Sequence, residues 1–336
     1  MKNGKYCAAV VGCGAISPLH IGGIADSGLA ELVALCDKIP ERAEKRRDEL
    51  APEARVFTDF DEMLEAMPEI DVIHVCLPHY LHTPVAVKAL MKGKNVFLEK
   101  PVGTTEEDIA SLLKAEAESN GKLCVCFQNR FNDTTVLLDE LVEKYGKVTA
   151  CRAVVTWYRD EPYYTESGWR GTYATEGGGV MINQAIHTLD LMLHFCGAPS
   201  SLRATTANHH LKNVIEVEDT CEMRVRFAEG AIGNFYATTS YTKDASIFLE
   251  LETEAGHTLS LFSGKIYDNG EPVPMATDSA AVRGKNCWGT GHSRLIGLYY
   301  QALQSGSPMP VTLESASTSL HVLLAAYRSQ DSEILL

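Results

Sequence analysis

Lys100 closes a short apolar run, Val96-Phe97-Leu98-Glu99-Lys100, and Pro101 cuts that run off. A buried strand ending this way sets an amine at its carboxyl edge, where open α/β sheets bind their ligands. Proline cannot continue the ladder, so the strand stops with the lysine at its rim. An amine placed there can give or take a proton. Taken alone the pair is weak, because a charge after a strand is ordinarily the solvated start of a loop. A second set lies far along the chain. Asn183, His187, Asp190 and His194 fall at i, i+4, i+7 and i+11, a polar stripe beside the apolar face Ile182, Ile186, Leu189 and Leu193. Gly177-Gly178-Gly179 lie just ahead of it. Three glycines cost backbone entropy with no packing return, which points to close approach to a ligand or to another backbone.

Elements must bring these groups together, and the first half of the chain supplies a recognisable frame. Tyr6-Cys7-Ala8-Ala9-Val10-Val11 runs straight into Gly12-Cys13-Gly14-Ala15-Ile16-Ser17, and a second apolar strand, Leu32 to Cys36, ends in Asp37. Strand, glycine turn, helix start and an acidic residue 23 positions after Gly14 make a dinucleotide fingerprint. Gly12 supplies the tight turn and Gly14 the close approach to a pyrophosphate, which then sits at a helix N-terminus. Asp37 is expected to accept the adenosine ribose hydroxyls, favouring NAD over NADP. Ser17 stands where the third glycine belongs and is small enough for close helix packing.

The alternation continues through strands at 55–57, 71–77, 95–99 and 123–127, with helices between them. Six strands alternating with helices predict a parallel, doubly wound sheet. The loops after those strands share one rim. On it fall Gly12, Gly14, Ala15, Ile16, Asp37, Lys38, Leu77, Pro78, His79, His82, Glu99, Lys100 and Gln128, the candidate cofactor-binding set. His79 and His82 are either lining for the nicotinamide end or ordinary loop histidines.

After residue 128 the rhythm breaks. A helix over 134–145 precedes a long strand, Val148 to Trp157, and a loop rich in aromatic and polar residues. One helix is predicted from Val180 to Phe195. Strands follow at 202–208, 217–227, 231–240, 246–253 and 257–262, joined by short glycine-bearing turns, so the sheet is antiparallel and this half α+β. Helices near 290–304 and 314–329 close the chain, with irregular loop expected over 263–288. The domains are thus 1–128, dinucleotide-binding, and 129–336, substrate-binding and oligomerising, the last helix being a candidate to pack back on the first domain. Arg130, Tyr163 and Tyr164 are candidates to shape a pocket for a hydroxylated ring, and Arg159 or Arg170 to meet an acidic sugar.

Composition narrows the function classes. A net charge of −14 over 336 residues leaves no basic excess for neutralising phosphates, which argues against nucleic acid. The ten cysteines include no C-x-x-C pair, so no metal is expected. With no signal peptide and no apolar run near membrane-spanning length, the expectation is a soluble, reduced, cytoplasmic protein.

The glycine turn, Glu99-Lys100-Pro101 and the run from Gly177 to His187 together resemble the Gfo/Idh/MocA oxidoreductases, in order and spacing along the whole chain. The resemblance implies a Rossmann domain holding NAD(P) and a C-terminal antiparallel sheet through which such enzymes form dimers or tetramers. It implies oxidation or reduction of sugars, polyols or related alcohols. On that basis Lys100 is the general acid or base, His187 its partner at the substrate oxygen, and Glu99 positions the nicotinamide ribose. Trp169-Arg170 resembles a loop reaching back to the cofactor. The family usually places aspartate where this chain has Asn183, an amide that can orient a hydroxyl but cannot relay a proton.

The cofactor would carry the hydride chemistry. A lysine at its ordinary pKa of about 10.4 is a poor base near neutrality. Desolvation and a cationic nicotinamide ring lower it toward ~7–8. The leading expectation is an NAD-dependent dehydrogenase of a sugar or cyclitol. The alternatives are a nucleotide-sugar or dihydrodiol-type dehydrogenase on the same scaffold, or a dinucleotide-sensing protein without turnover.

Overall fold

A computed structural model describes residues 4–275 and 289–336. The chain clusters into two compact units, Met1–Phe131 with Ala280–Ala316, and Asn132–Ser279 with Ser317–Leu336.

In the first unit, β1 (Tyr6–Val11), β2 (Ala30–Cys36), β3 (Arg55–Phe57), β4 (Val72–Val75), β5 (Asn95–Glu99) and β6 (Leu123–Cys126) form a sheet of order β3-β2-β1-β4-β5-β6. Every neighbouring pair is parallel. β4, β5 and β6 are buried along nearly their whole length, as apolar strands covered on both faces must be. The order reverses between β1 and β4, so the crevice that binds ligands in such sheets opens beyond their carboxyl ends. Helices α1 (Ser17–Ser27), α2 (Pro40–Leu50), α3 (Phe60–Ala66), α4 (His82–Met91) and α5 (Glu106–Glu118) link the strands. Local chemistry sets their starts. Asp59 accepts from the Glu62 N–H, and Thr105 with Asp108 closes a capping box. The Gly291–Ser305 helix also belongs to this unit and packs on α1, where a Cβ at Gly23 would meet Ile296 Cδ1 at 2.5 Å. The described residues 289–316, grouped by sequence with the second half, therefore belong to the first unit.

The second unit contains α6 (Asp133–Tyr145), β7 (Val148–Thr156), α7 (Glu161–Thr165), α8 (Val180–Asn183), α9 (Ile186–Cys196), β8 (Pro199–Ala207), β9 (Thr220–Phe227) and β10 (Ile232–Thr238). β11 (Phe248–Thr253), β12 (Thr258–Phe262), β13 (Lys265–Asp268), β14 (Glu271–Pro272) and β15 (Ile334–Leu335) complete a nine-stranded sheet, β14-β13-β12-β11-β7-β10-β9-β8-β15. Its pairs are antiparallel except β7–β10, which run parallel. β9 alternates buried and exposed residues, the mark of a sheet covered on one face only. α9 covers that face, and Gly233 on β10 makes room for Met192. The last helix, Leu313–Ser329, begins in the first unit and continues into the second.

Two local expectations are corrected. The helix predicted from Val180 to Phe195 is two helices. The chain widens into a π-type turn at Gln184-Ala185, where the Ala185 N–H bonds the Val180 carbonyl, five residues back, at 2.8 Å. The loop predicted over 263–288 contains the β13–β14 hairpin, turned at Asn269-Gly270 with both residues at positive φ. The remainder, 276–288, lies outside the described residues.

Candidate active site

The glycine turn is built as its residues require. Gly12 sits at φ 94°, its N–H bonds the Cys36 carbonyl at 2.8 Å, and a Cβ there would run into the Cys76 carbonyl. Gly14 is different. A Cβ on it would meet nothing within 4 Å, so this residue faces open space, and α1 begins beside it without a side-chain cap. Open backbone at an uncapped helix N-terminus suits a pyrophosphate. Ser17 justifies its place by donating its hydroxyl to the Gly14 carbonyl at 2.8 Å. Arg46 on α2, which sequence reading passed over, donates to the same carbonyl at 3.2 Å and to Ser17 Oγ at 3.2 Å. Asp37 is pinned at the end of β2, its two carboxylate oxygens accepting the Cys13 and Ile39 N–H groups at 2.8 and 2.9 Å. Lys38 beside it is exposed, and Ala15 is exposed at the mouth of the turn with Ile16 half-buried. These residues fit NAD.

Along the same rim, Leu77 and Pro78 are half-buried after β4. His82 is turned inward. Its Nδ1 faces the Pro101 carbonyl at 2.7 Å and its Nε2 the Leu77 carbonyl at 2.8 Å, so its polar atoms tie two rim loops together instead of facing a ligand. Burial pulls its pKa down, against those two bonds. His79 is buried with its ring 5.7 Å from that of His82. Glu99 points into the core, while Lys100 is half-buried at the strand end. Desolvation opposes the Glu99 charge, but the hydrogen bond from His20 and the neighbouring cations outweigh it and hold the carboxyl below its usual range. Gln128 is buried, its amide donating to Asn129 at 3.3 Å. Arg130 stacks 5.6 Å over Phe127 and donates to Ser315 Oγ at 2.7 Å.

In the second unit the loop after β7 builds a cationic aromatic platform. The Arg159 guanidinium lies 5.1 Å from the Trp157 ring and 5.3 Å from that of Tyr163, and donates to Asp244 at 2.7 Å. Arg170 lies 4.3 Å over Tyr163 and 4.9 Å from Trp169. Tyr163 thus carries two guanidiniums, and its hydroxyl accepts from Gln184 Nε2 at 2.9 Å. Tyr164, expected at the substrate, is instead a core residue packed with Leu211, Ile215 and Val217.

Gly178 and Gly179 of the glycine run approach another part of the same chain closely. A Cβ at Gly179 would strike the Glu218 carbonyl, and one at Gly178 the Tyr327 hydroxyl. Glu218 accepts from the Gly179 and Met181 N–H groups at 2.9 and 3.0 Å, capping α8, and from Tyr327 at 2.8 Å. The polar stripe does not survive as one face. Asn183 and His187 are half-buried, Asp190 is buried and accepts from Ser319 at 2.9 Å, and His194 pairs with Asp139 at 2.8 Å on the surface. Asn183 Nδ2 donates to Glu176 Oε1 at 2.5 Å, and Glu176 Oε2 accepts from the Gly171 N–H at 2.6 Å. Burial pushes the Glu176 carboxyl up to about 7, and that of Glu218 likewise to about 7.

Comparison with known proteins agrees with this geometry. Residues 7–127 match the oxidoreductase family with an NAD-binding Rossmann fold (GFO_IDH_MocA), and residues 137–258 match the GFO/IDH/MocA C-terminal domain. An inositol 2-dehydrogenase of Rhizobium meliloti is 27% identical over 59% of this chain, which spans 57% of that enzyme's length. The WlbA dehydrogenase of Bordetella pertussis, solved with NADH and UDP-GlcNAcA, superposes with a TM-score of 0.87 and 29% identity, covering 100% of this chain and 99% of that one. WlbA of Chromobacterium violaceum, in the same complex, gives a TM-score of 0.84 and 30% identity over 100% and 97%. The chain belongs to the Gfo/Idh/MocA family of oxidoreductases with an NAD-binding Rossmann fold.

Proposed function

We propose that this chain is an NAD-dependent dehydrogenase acting on a secondary alcohol of a sugar derivative, and that a nucleotide-linked sugar acid suits it better than a free sugar or cyclitol. The observation that carries the choice is the pair of guanidiniums, Arg159 and Arg170, stacked on Tyr163. Arginine forks recognise carboxylate and phosphate bidentately, and an aromatic face between them suits a ring. Full-length likeness to the two WlbA dehydrogenases supports the same reading, whereas the inositol dehydrogenase match covers little more than half of either chain.

NAD supplies the hydride acceptor when bound. In this reading Lys100 takes the hydroxyl proton as the alcohol is oxidised and returns it in the reverse direction. His187 holds the substrate oxygen and Asn183 orients a neighbouring hydroxyl, its amide fixed from behind by Glu176. His82 acts at one remove by clamping the Pro101 carbonyl, which keeps the loop bearing Lys100 in place. Trp169 and Arg170 line the substrate, and Arg130 stiffens the end of the first unit against Ser315. We also place the protein in the cytoplasm, supported by nine buried free cysteines among the described residues. We assign it a homodimer or homotetramer built on the uncovered face of the nine-stranded sheet.

The reading is tested by following NAD reduction against UDP-GlcNAcA, UDP-GlcNAc, myo-inositol and free glucosides. Turnover on UDP-GlcNAcA, reduced when the carboxylate is absent, is expected. Turnover on inositol or free glucosides with none on either nucleotide sugar would sink the choice, and tight NADH binding without any turnover would favour a sensor. Light scattering of the purified chain reads the assembly.

A further inference from the structure

Gln184 is a buried polar side chain that no step above uses. It follows Asn183 directly and sits in the π-type turn between α8 and α9. There the Gln184 and Ala185 N–H groups both bond the Val180 carbonyl, at 3.2 and 2.8 Å. Widened turns of this kind are frequent at functional sites. The residue is 6% exposed. Its Nε2 donates to the Tyr163 hydroxyl at 2.9 Å, but its Oε1, also buried, has no hydrogen-bond partner among the described residues.

A donor on the same tyrosine is in the same position. The Arg170 guanidinium lies 4.3 Å over the Tyr163 ring, and its Nε–H is buried without a partner among the described residues. Tyr163 is itself fixed by packing on the cluster of Tyr164, Leu211, Ile215 and Val217. One ring thus links an unpaired acceptor to an unpaired donor, both already out of water. Unpaired buried polar atoms destabilise a chain and are few in native proteins, so two on one ring call for an explanation. Turning the Gln184 amide over does not remove the mismatch. Oε1 would then accept from Tyr163 and Nε2 would be the atom left unpaired.

We propose that Gln184 and Arg170 bind a secondary amide of the substrate, the acetamido group of an amino sugar. The amide N–H donates to Gln184 Oε1, and the amide oxygen accepts from Arg170 Nε–H. This rests on the reading above that the substrate is a nucleotide-linked sugar acid, and adds one group to it. A secondary amide carries its donor and its acceptor on separate atoms, so it reaches both protein groups at once. A hydroxyl carries both functions on a single oxygen and leaves one of the two unpaired, and an ammonium has nothing to offer the arginine. Gln184 is therefore a specificity-determining residue, because a site with buried polar groups rejects the substrate that leaves them unsatisfied.

The test is calorimetric binding of UDP-GlcNAcA and of UDP-glucuronic acid, which has a hydroxyl in place of the acetamido group, to the full chain saturated with NADH. The acetamido compound should bind at least about tenfold tighter. In Gln184→Met, which keeps the length and bulk of the side chain without its amide, the two should bind alike. Equal affinities in the wild type, or a preference retained in Gln184→Met, would overturn the proposal. Should Gln184→Met not fold, Tyr163→Phe decides, since it removes only the hydroxyl that orients the Gln184 amide. A narrowed preference is expected there, and an undiminished one overturns the assignment. Equal affinities fault the amide site and leave the nucleotide-linked acid standing, whereas failure of both compounds to bind overturns the two together. Discrimination without turnover keeps the amide site and faults the dehydrogenase reading instead.

Discussion

Asn183 holds a buried carboxyl: its Nδ2 lies 2.5 Å from Glu176 Oε1, seven residues earlier across the glycine run. This contact accounts for the amide at a position where the family usually has aspartate. Asn183→Asp would put two carboxyls in contact and trap a proton between them. Glu176 has a folded pKa of about 7 against an ordinary 4.5, because burial disfavours its charge. A raised carboxyl pKa costs nothing below about pH 4.5 and exacts its full cost above about 7, roughly 3 kcal/mol for this shift. Glu176→Gln should therefore gain about 2.5 kcal/mol relative to wild type between pH 5 and pH 8, read by denaturant unfolding at the two pH values. A pH-independent difference would show that the carboxyl is not held neutral by burial.

The two glycines of the turn separate fold from cofactor. Gly12→Ala meets both a positive φ and the Cys76 carbonyl, and should cost about 1–3 kcal/mol or more of stability. Gly14→Ala meets nothing of the chain, so its melting temperature should stay near wild type while NAD affinity falls at least about tenfold. Thermal melts with and without NAD check both; full NAD affinity in Gly14→Ala would remove this residue from the cofactor site.

Asp37 serves both the turn and the ribose. Asp37→Asn should weaken NAD binding and narrow the NAD-over-NADP preference by roughly tenfold or more, since the repelling charge is gone. Parallel titrations with the two dinucleotides measure it. An unchanged preference would mean that another residue selects the cofactor.

Arg170 is stacked, and lysine cannot replace a stacked guanidinium. Arg170→Lys should raise KM for a carboxylated nucleotide sugar about tenfold while kcat changes little. A fall in kcat at constant KM would instead place Arg170 at the reacting carbon.

Four strands of the first unit, β1, β2, β4 and β5, were legible because each is a compact apolar run soon closed by Gly, Asp or Pro, and the glycine turn, Asp37 and Lys100 fall at their carboxyl ends. The break at Gln184-Ala185 was not legible. Neither residue disfavours helix, and the kink comes from tertiary packing of α8 under Glu218. The β13–β14 hairpin did announce itself, by Asn269-Gly270, but its strands are too short and polar to show alternation. Tyr164 could not be told from Tyr163, because which of two adjacent rings turns inward depends on Leu211, Ile215 and Val217, nearly fifty residues on. The His20–Glu99 contact joins residues 79 apart and left no local signal.

The central claim is that Lys100 moves the proton of a substrate alcohol in an NAD-dependent oxidation. Single-turnover NADH formation from UDP-GlcNAcA by Lys100→Ala, beside NAD affinity of the same variant, tests it most directly. A loss of roughly 10²–10⁴-fold in rate with NAD binding preserved is expected. A rate equal to wild type at saturating NAD and substrate would contradict it.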